Sequence, residues 1–120
     1  MSQAGALGAM ALTWASPEAV AEQVAWVRAR TDAPFHVNYA LYKPPASLDS
    51  ALDAGAPAVT FSWGDPAPFV ERVRAAGARL GVQVTNAAGA RRGRALGADF
   101  LVCQGVEAGR HVQRADPALR

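Results

Sequence analysis

Polar side chains able to do chemistry recur at the ends of short apolar runs. Asn38 follows Phe35-His36-Val37, Gln83 and Thr85 lie in Val82-Gln83-Val84-Thr85, and Gln104 follows Leu101-Val102-Cys103. Amide and hydroxyl groups so placed can donate and accept hydrogen bonds to a bound polar molecule. Taken singly, each is ordinarily spent on the backbone of its own loop. Their recurrence at equivalent run ends points to a shared site. The richest segment follows: Gln104-Gly105-Val106-Glu107-Ala108-Gly109-Arg110-His111-Val112-Gln113. Its glycines permit close backbone approach to a ligand, and a histidine such as His111 can serve as acid or base. Glu107 and His111 have no further ligand set of recognisable spacing, so no metal is expected. Trp63, in Ser62-Trp63-Gly64-Asp65, either walls a pocket or covers the core.

Composition bounds what these residues can serve. The 120 residues fit one domain, 1–120, with 51% hydrophobic residues and a formal net charge of +2. Lys43 is the only lysine, and the basic character comes from arginine. Arg91, Arg92 and Arg94 fall on a predicted helix without interleaved aromatics, which reads as a solvated face and not a nucleic-acid patch. Cys103, the only cysteine, excludes a disulfide framework, and its place at a strand end predicts burial. The apolar run from Gly5 to Leu12 is too short to span a membrane and lacks the basic flank of a signal peptide. A soluble, cytoplasmic chain is expected.

The elements that position these residues repeat along the chain. Ala54-Gly55-Ala56, Ala76-Gly77-Ala78 and Leu96-Gly97-Ala98 each read as a helix stop, because glycine relieves the strain of a left-handed cap. Strands are expected at Ala6 to Leu12, Phe35 to Tyr39, Pro57 to Phe61, Leu80 to Thr85 and Phe100 to Cys103. Helix starts are marked by Ser16 before Pro17 and Asp65 before Pro66, with Ser47 and Asn86 as caps for the other two. Val20, Val24 and Val27 share one helical face, as do Phe69 or Val70 and Val73. Strands alternating with helices argue for a parallel sheet. An open flavodoxin-like sheet and a TIM barrel both satisfy this pattern, and length alone favours the open sheet. Ala4-Gly5-Ala6 and Asp116-Pro117 argue for the barrel, since they read as interior points of a longer repeat. In either architecture the site lies at the strand C-termini. Gln83 faces opposite to Leu80, Val82 and Val84.

The segment from Cys103 to Val112 closely resembles the Q-G-x-E-A-G-G-H segment of nitronate monooxygenases. Gly5-Ala6-Leu7-Gly8, Pro34-Phe35-His36-Val37-Asn38, Val59-Thr60-Phe61-Ser62-Trp63-Gly64 and Gln83-Val84-Thr85 agree in order, so the resemblance covers nearly the whole chain. It implies an incomplete (β/α)8 TIM barrel of about five parallel strands and four helices, without the family's first and last two strands. It also implies FMN across the strand C-termini and oxidation of alkyl nitronates by molecular oxygen to carbonyl compounds and nitrite. By motif, Asn38, Gln104 and Gly109 resemble flavin contacts, with Gln83 and Gly105 in the same cofactor-binding set. His111 resembles the active-site histidine, the natural base toward a neutral nitroalkane. Arg110 stands where the family usually has glycine, and His36 where a small residue is common. Two alternatives stand beside this reading. One is a non-catalytic half-barrel remnant; the other is a relative of the flavin-dependent enoyl-acyl-carrier-protein reductases, which carry a similar histidine loop. An open barrel would expose sheet edges and an apolar inward face, so self-association is expected.

Overall fold

A computed structural model describes residues 8–104 of the chain. Strands and helices alternate: β1 (Gly8–Ala11), α1 (Pro17–Arg30), β2 (Phe35–Ala40), α2 (Leu48–Asp53), β3 (Ala58–Ser62), α3 (Val70–Ala75), β4 (Arg79–Val84), α4 (Ala87–Ala95) and β5 (Phe100–Cys103). A 3-10 turn over Ala67–Phe69 leads into α3. Every strand pair is parallel, and the spatial order is the sequence order, β1-β2-β3-β4-β5. That order decides the architecture. A flavodoxin-like sheet reverses direction and brings its first strand inside, whereas a barrel advances one strand at a time. The described residues are part of a (β/α)8 barrel.

Local chemistry explains the boundaries. Ser16 caps α1 by accepting from the Ala19 N–H at 3.2 Å, and Pro17 fills the first turn where no N–H is needed. Asn86 caps α4, its Oδ1 accepting from the Gly89 N–H at 2.7 Å. Asp65 caps the 3-10 turn through Ala67 N–H, so α3 proper starts later than the Asp65-Pro66 pair suggests. Ser47 does not cap α2; its hydroxyl bonds the Tyr39 phenol at 2.9 Å instead. The glycines of the three helix stops have φ of +96° (Gly55), +75° (Gly77) and +85° (Gly97), the left-handed conformation that a Cβ would strain.

The core lies between the sheet's outer face and the helices. Phe35, Val37, Tyr39, Val59, Phe61, Leu80, Val82 and Val84 point outward and are buried against Val20, Val24, Leu48, Ala51 and Val73. Each large aliphatic or aromatic side chain so buried contributes roughly 1.5–3 kcal/mol before entropy is subtracted. Period-two alternation then sends Ala11, His36, Asn38, Thr60, Gly81, Gln83 and Phe100 to the inner face. The apolar inner face expected from sequence is met in part: Ala9, Ala40, Ala58 and Val102 also face inward, beside polar residues. Asn38, Thr60 and Ser62 are buried there, and polar groups line much of it. Cys103 departs from expectation. It is exposed, because no described helix follows β5 to cover its outer side. No helix among the described residues is long and apolar enough to cross a membrane.

Candidate functional site

Asn38 and Thr60 are register partners on β2 and β3 and form the centre of the inner face. The Asn38 Nδ2 donates to Thr60 Oγ1 at 2.9 Å and to the Thr60 carbonyl oxygen at 3.4 Å. A backbone carbonyl only accepts, so the amide must present its NH2 to β3. Its Oδ1 then has no partner among the described residues and stands as an acceptor on the inner face. Thr60 Oγ1 also lies 2.8 Å from His36 Nδ1, and a longer contact of 3.5 Å runs from that hydroxyl to Val37 O. His36 is thus drawn into the support of Asn38. Its edge-on contact with Phe100, 6.2 Å between centroids, closes the lower part of this face. Phe100 reaches that position by lying across Gly81, where a Cβ would collide with its ring and with Thr60 Cγ2.

A pair of amide side chains lies further toward the strand ends. Gln83 Nε2 donates to Gln104 Oε1 at 2.9 Å, and the Gln104 N–H continues the ladder to Val84 O at 2.9 Å. Asn38, Gln83 and Gln104 therefore share the inner face, as their spacing predicts. They form two groups, because β3 separates β2 from β4. Thr85 lies in the β4–α4 loop, beside the α4 cap. Gly105, Glu107, Gly109, Arg110 and His111 lie outside the described residues. Arg91, Arg92 and Arg94 are exposed on α4, and Arg92 pairs with Asp65 at 2.8 Å beside an open cleft on the helix side.

Sequence reasoning singled out neither Thr60 nor two of the three aromatic residues at the strand ends. Trp14, Tyr42 and Trp63 come from the β1–α1, β2–α2 and β3–α3 loops. Tyr42 lies 5.6 Å from Trp14 and 6.2 Å from Trp63 between ring centroids. Trp63 is half-buried and has φ of 63°, a conformation that a bulky residue adopts only where its surroundings enforce it. The available signal was positional: each ring stands one to three residues past an apolar run.

No family model matches the chain. A nitronate monooxygenase of Pseudomonas aeruginosa is 28% identical, over 99% of this chain and 47% of that protein. Among solved structures, FabK from Thermotoga maritima superposes at a TM-score of 0.82 with 29% identity, over 95% of this chain and 37% of that one. Its M276A mutant gives a TM-score of 0.86 with 28% identity, over 95% and 40%. A nitroalkane oxidase from Streptomyces ansochromogenes gives 0.79 with 25% identity, over 98% and 44%. The chain spans less than half the length of each of these relatives. In sequence and in fold alike, the chain is similar to a nitronate monooxygenase, a nitroalkane oxidase and FabK.

Proposed function

We propose that the chain supplies the ring-contacting part of an FMN site and serves oxidation of alkyl nitronates by molecular oxygen to carbonyl compounds and nitrite. The observation that carries this is the fixed polarity of Asn38, whose NH2 is consumed by Thr60 while its Oδ1 faces inward as an acceptor. A flavin ring has an edge of carbonyl and N–H groups, which suits an oriented amide together with the Gln83–Gln104 pair. Ala11 and Gly81 add little bulk to the inner face beside them. The residues present fit a flavin. When bound, FMN supplies the redox chemistry, and the protein supplies position and electrostatics. Asn38, Gln83, Gln104, Gly105 and Gly109 would hold it. His111 takes the α-proton of a neutral nitroalkane; a nitronate is already deprotonated and needs only to be oriented.

A second reading, an enoyl reductase using a nicotinamide cofactor, is favoured by the higher TM-scores to FabK. The two differ in what they consume. Flavin fluorescence is followed as the chain is added to FMN and, separately, to riboflavin. The expected result is saturable binding of both at similar affinity, lost in Asn38→Leu, because Asn38 and the two glutamines address the ring and not the phosphate. Absence of saturable binding, or binding that Asn38→Leu leaves unchanged, overturns the site. Nitrite release from propyl nitronate by the flavin-loaded chain supports the first substrate reading. NADH oxidation dependent on an enoyl thioester, without nitrite, replaces it with the second.

A further inference from the structure

Three exposed or half-exposed rings from three successive loops make one continuous aromatic ledge at the C-terminal rim of the strands. Trp14 is 73% exposed and Tyr42 51% exposed, yet each touches its neighbour across a loop boundary. Contiguous apolar surface left in water marks a place where something binds. The loops that carry it are pinned. Thr13 Oγ1 accepts from the Ala40 N–H at 2.8 Å, tying the Trp14 loop to the end of β2. The Leu41 N–H donates to Ser62 O at 2.7 Å, tying the Tyr42 loop to the end of β3. Gly64 packs so closely on Leu41 that an added Cβ would lie 2.7 Å from Leu41 Cβ, which restricts the loop beside Trp63. A ledge held in place before binding loses little freedom when a ligand settles on it.

Charge sets the class of ligand. Lys43, the chain's only lysine, places its ammonium 4.2 Å from the Trp14 ring centroid. Among the described residues it pairs with no carboxylate; the ion pairs there are Arg72–Asp49 and Arg92–Asp65. The rings are set at 53° and 84° to one another, so they form an angled apolar surface. Ending in a cation without a counter-charge among the described residues, it complements an aromatic ring that carries an anion.

We propose that Trp14, Tyr42, Trp63 and Lys43 form a binding subsite for aryl-alkyl anions, the ring lying on the ledge and a carboxylate or nitronate head meeting Lys43. As a statement of substrate class, aryl-substituted nitronates over short alkyl ones, this rests on the oxidoreductase reading above; as a binding site it stands without flavin. The test uses the flavin-free chain and NMR of its indole and amide N–H groups. The probe is 2-naphthylacetate, with acetate and 2-naphthaleneethanol as controls. The Trp14 and Trp63 indole signals should shift saturably with naphthylacetate, while Trp26, on the far side of α1, stays in place. Acetate should shift none of them. The neutral alcohol should bind about threefold more weakly, the usual scale for an exposed charge pair. Lys43→Gln should erase that difference, and Trp14→Ala should weaken naphthylacetate roughly fivefold. Both variants are judged by unchanged core amide signals of Val59 and Leu80. Shifts of Trp26 equal to those of Trp14, equal affinity for alcohol and acid, or no saturation each overturn the subsite. Flavin fluorescence is unaffected by these outcomes, so loss of the ledge and loss of the flavin site are read separately.

Discussion

Thr60 on β3 accepts from the Asn38 Nδ2 on β2 at two atoms, its hydroxyl at 2.9 Å and its carbonyl oxygen at 3.4 Å. The same hydroxyl meets His36 Nδ1 at 2.8 Å. One oxygen therefore organises two polar side chains on a face where Asn38 is 8% exposed. Thr60→Val keeps the shape and removes that oxygen. It should cost about 1–3 kcal/mol of stability, the range for leaving buried partners unsatisfied. Thr60→Ser keeps the hydroxyl and should lose roughly 1 kcal/mol or less. Urea unfolding of the two variants decides between them; equal midpoints would mean the hydroxyl holds nothing.

Gly81 and Phe100 are coupled through space. A Cβ at Gly81 would collide with the Phe100 ring and lie 2.6 Å from Thr60 Cγ2. Gly81→Ala should destabilise by about 1–3 kcal/mol through overpacking. Phe100→Leu leaves a smaller side chain over the same spot, so the double variant should recover part of that loss. The double-mutant coupling should exceed about 0.5 kcal/mol. Additive losses would show that the ring simply swings aside.

The strands and helix stops were legible because their determinants are local. Gly55, Gly77 and Gly97 end helices through backbone conformation alone, and Ser16 and Asn86 cap through atoms three residues away. Ser47 looked like a third such cap and is not, because a tertiary partner, Tyr39, claims its hydroxyl. The polar part of the inner face was missed for a related reason. Thr60 and Ser62 sit in a run that reads as apolar, and their polarity matters only once the register sets them beside Asn38 and Ala40. Strand order is a long-range property, so the single elements left open sheet and barrel both standing; the repeat pattern and the family resemblance chose the barrel, and the observed order bears that out. Asn38, Gln83 and Gln104 could be placed on one face because strand parity and strand ends are readable. Trp14 and Tyr42 were not, because single aromatics in separate loops announce nothing until the loops converge.

We propose His111 as the general base of the reaction, and its substrate dependence tests that role. In a version extended to a full barrel and loaded with flavin, His111→Ala should slow turnover of a neutral nitroalkane by about 10²–10⁴-fold. Turnover of the preformed nitronate should fall much less, since no proton remains to be removed. Equal losses on both substrates would assign His111 to positioning; unchanged rates would remove it from the site. Nitrite release measured for the two substrates gives the comparison directly.

Tyr39 gives the fold a predictable alkaline weakness. Its ring is buried on the outer face of β2, and its hydroxyl shares a hydrogen bond with Ser47 Oγ at 2.9 Å. Burial raises its pKa above the ordinary tyrosine value of 10.0, and the Ser47 bond lowers it by less. The folded chain thus holds the phenolic proton more tightly than the unfolded chain does. Stability from this group is fully present below pH 10 and declines as pH rises from there through the folded value, because unfolding then releases a proton. Tyr39→Phe removes the titration along with the hydroxyl. At pH 8 it should cost about 1–3 kcal/mol, since Ser47, 1% exposed, is left without its partner. Above pH 10 the variant should lose less stability per pH unit than the parent, so the two urea midpoints converge. Parallel curves across that range would show that some other group carries the alkaline loss and that Tyr39 titrates alike in both states. The comparison needs only urea midpoints for the two proteins between pH 8 and 11, a window that opens below the tyrosine value and closes above it.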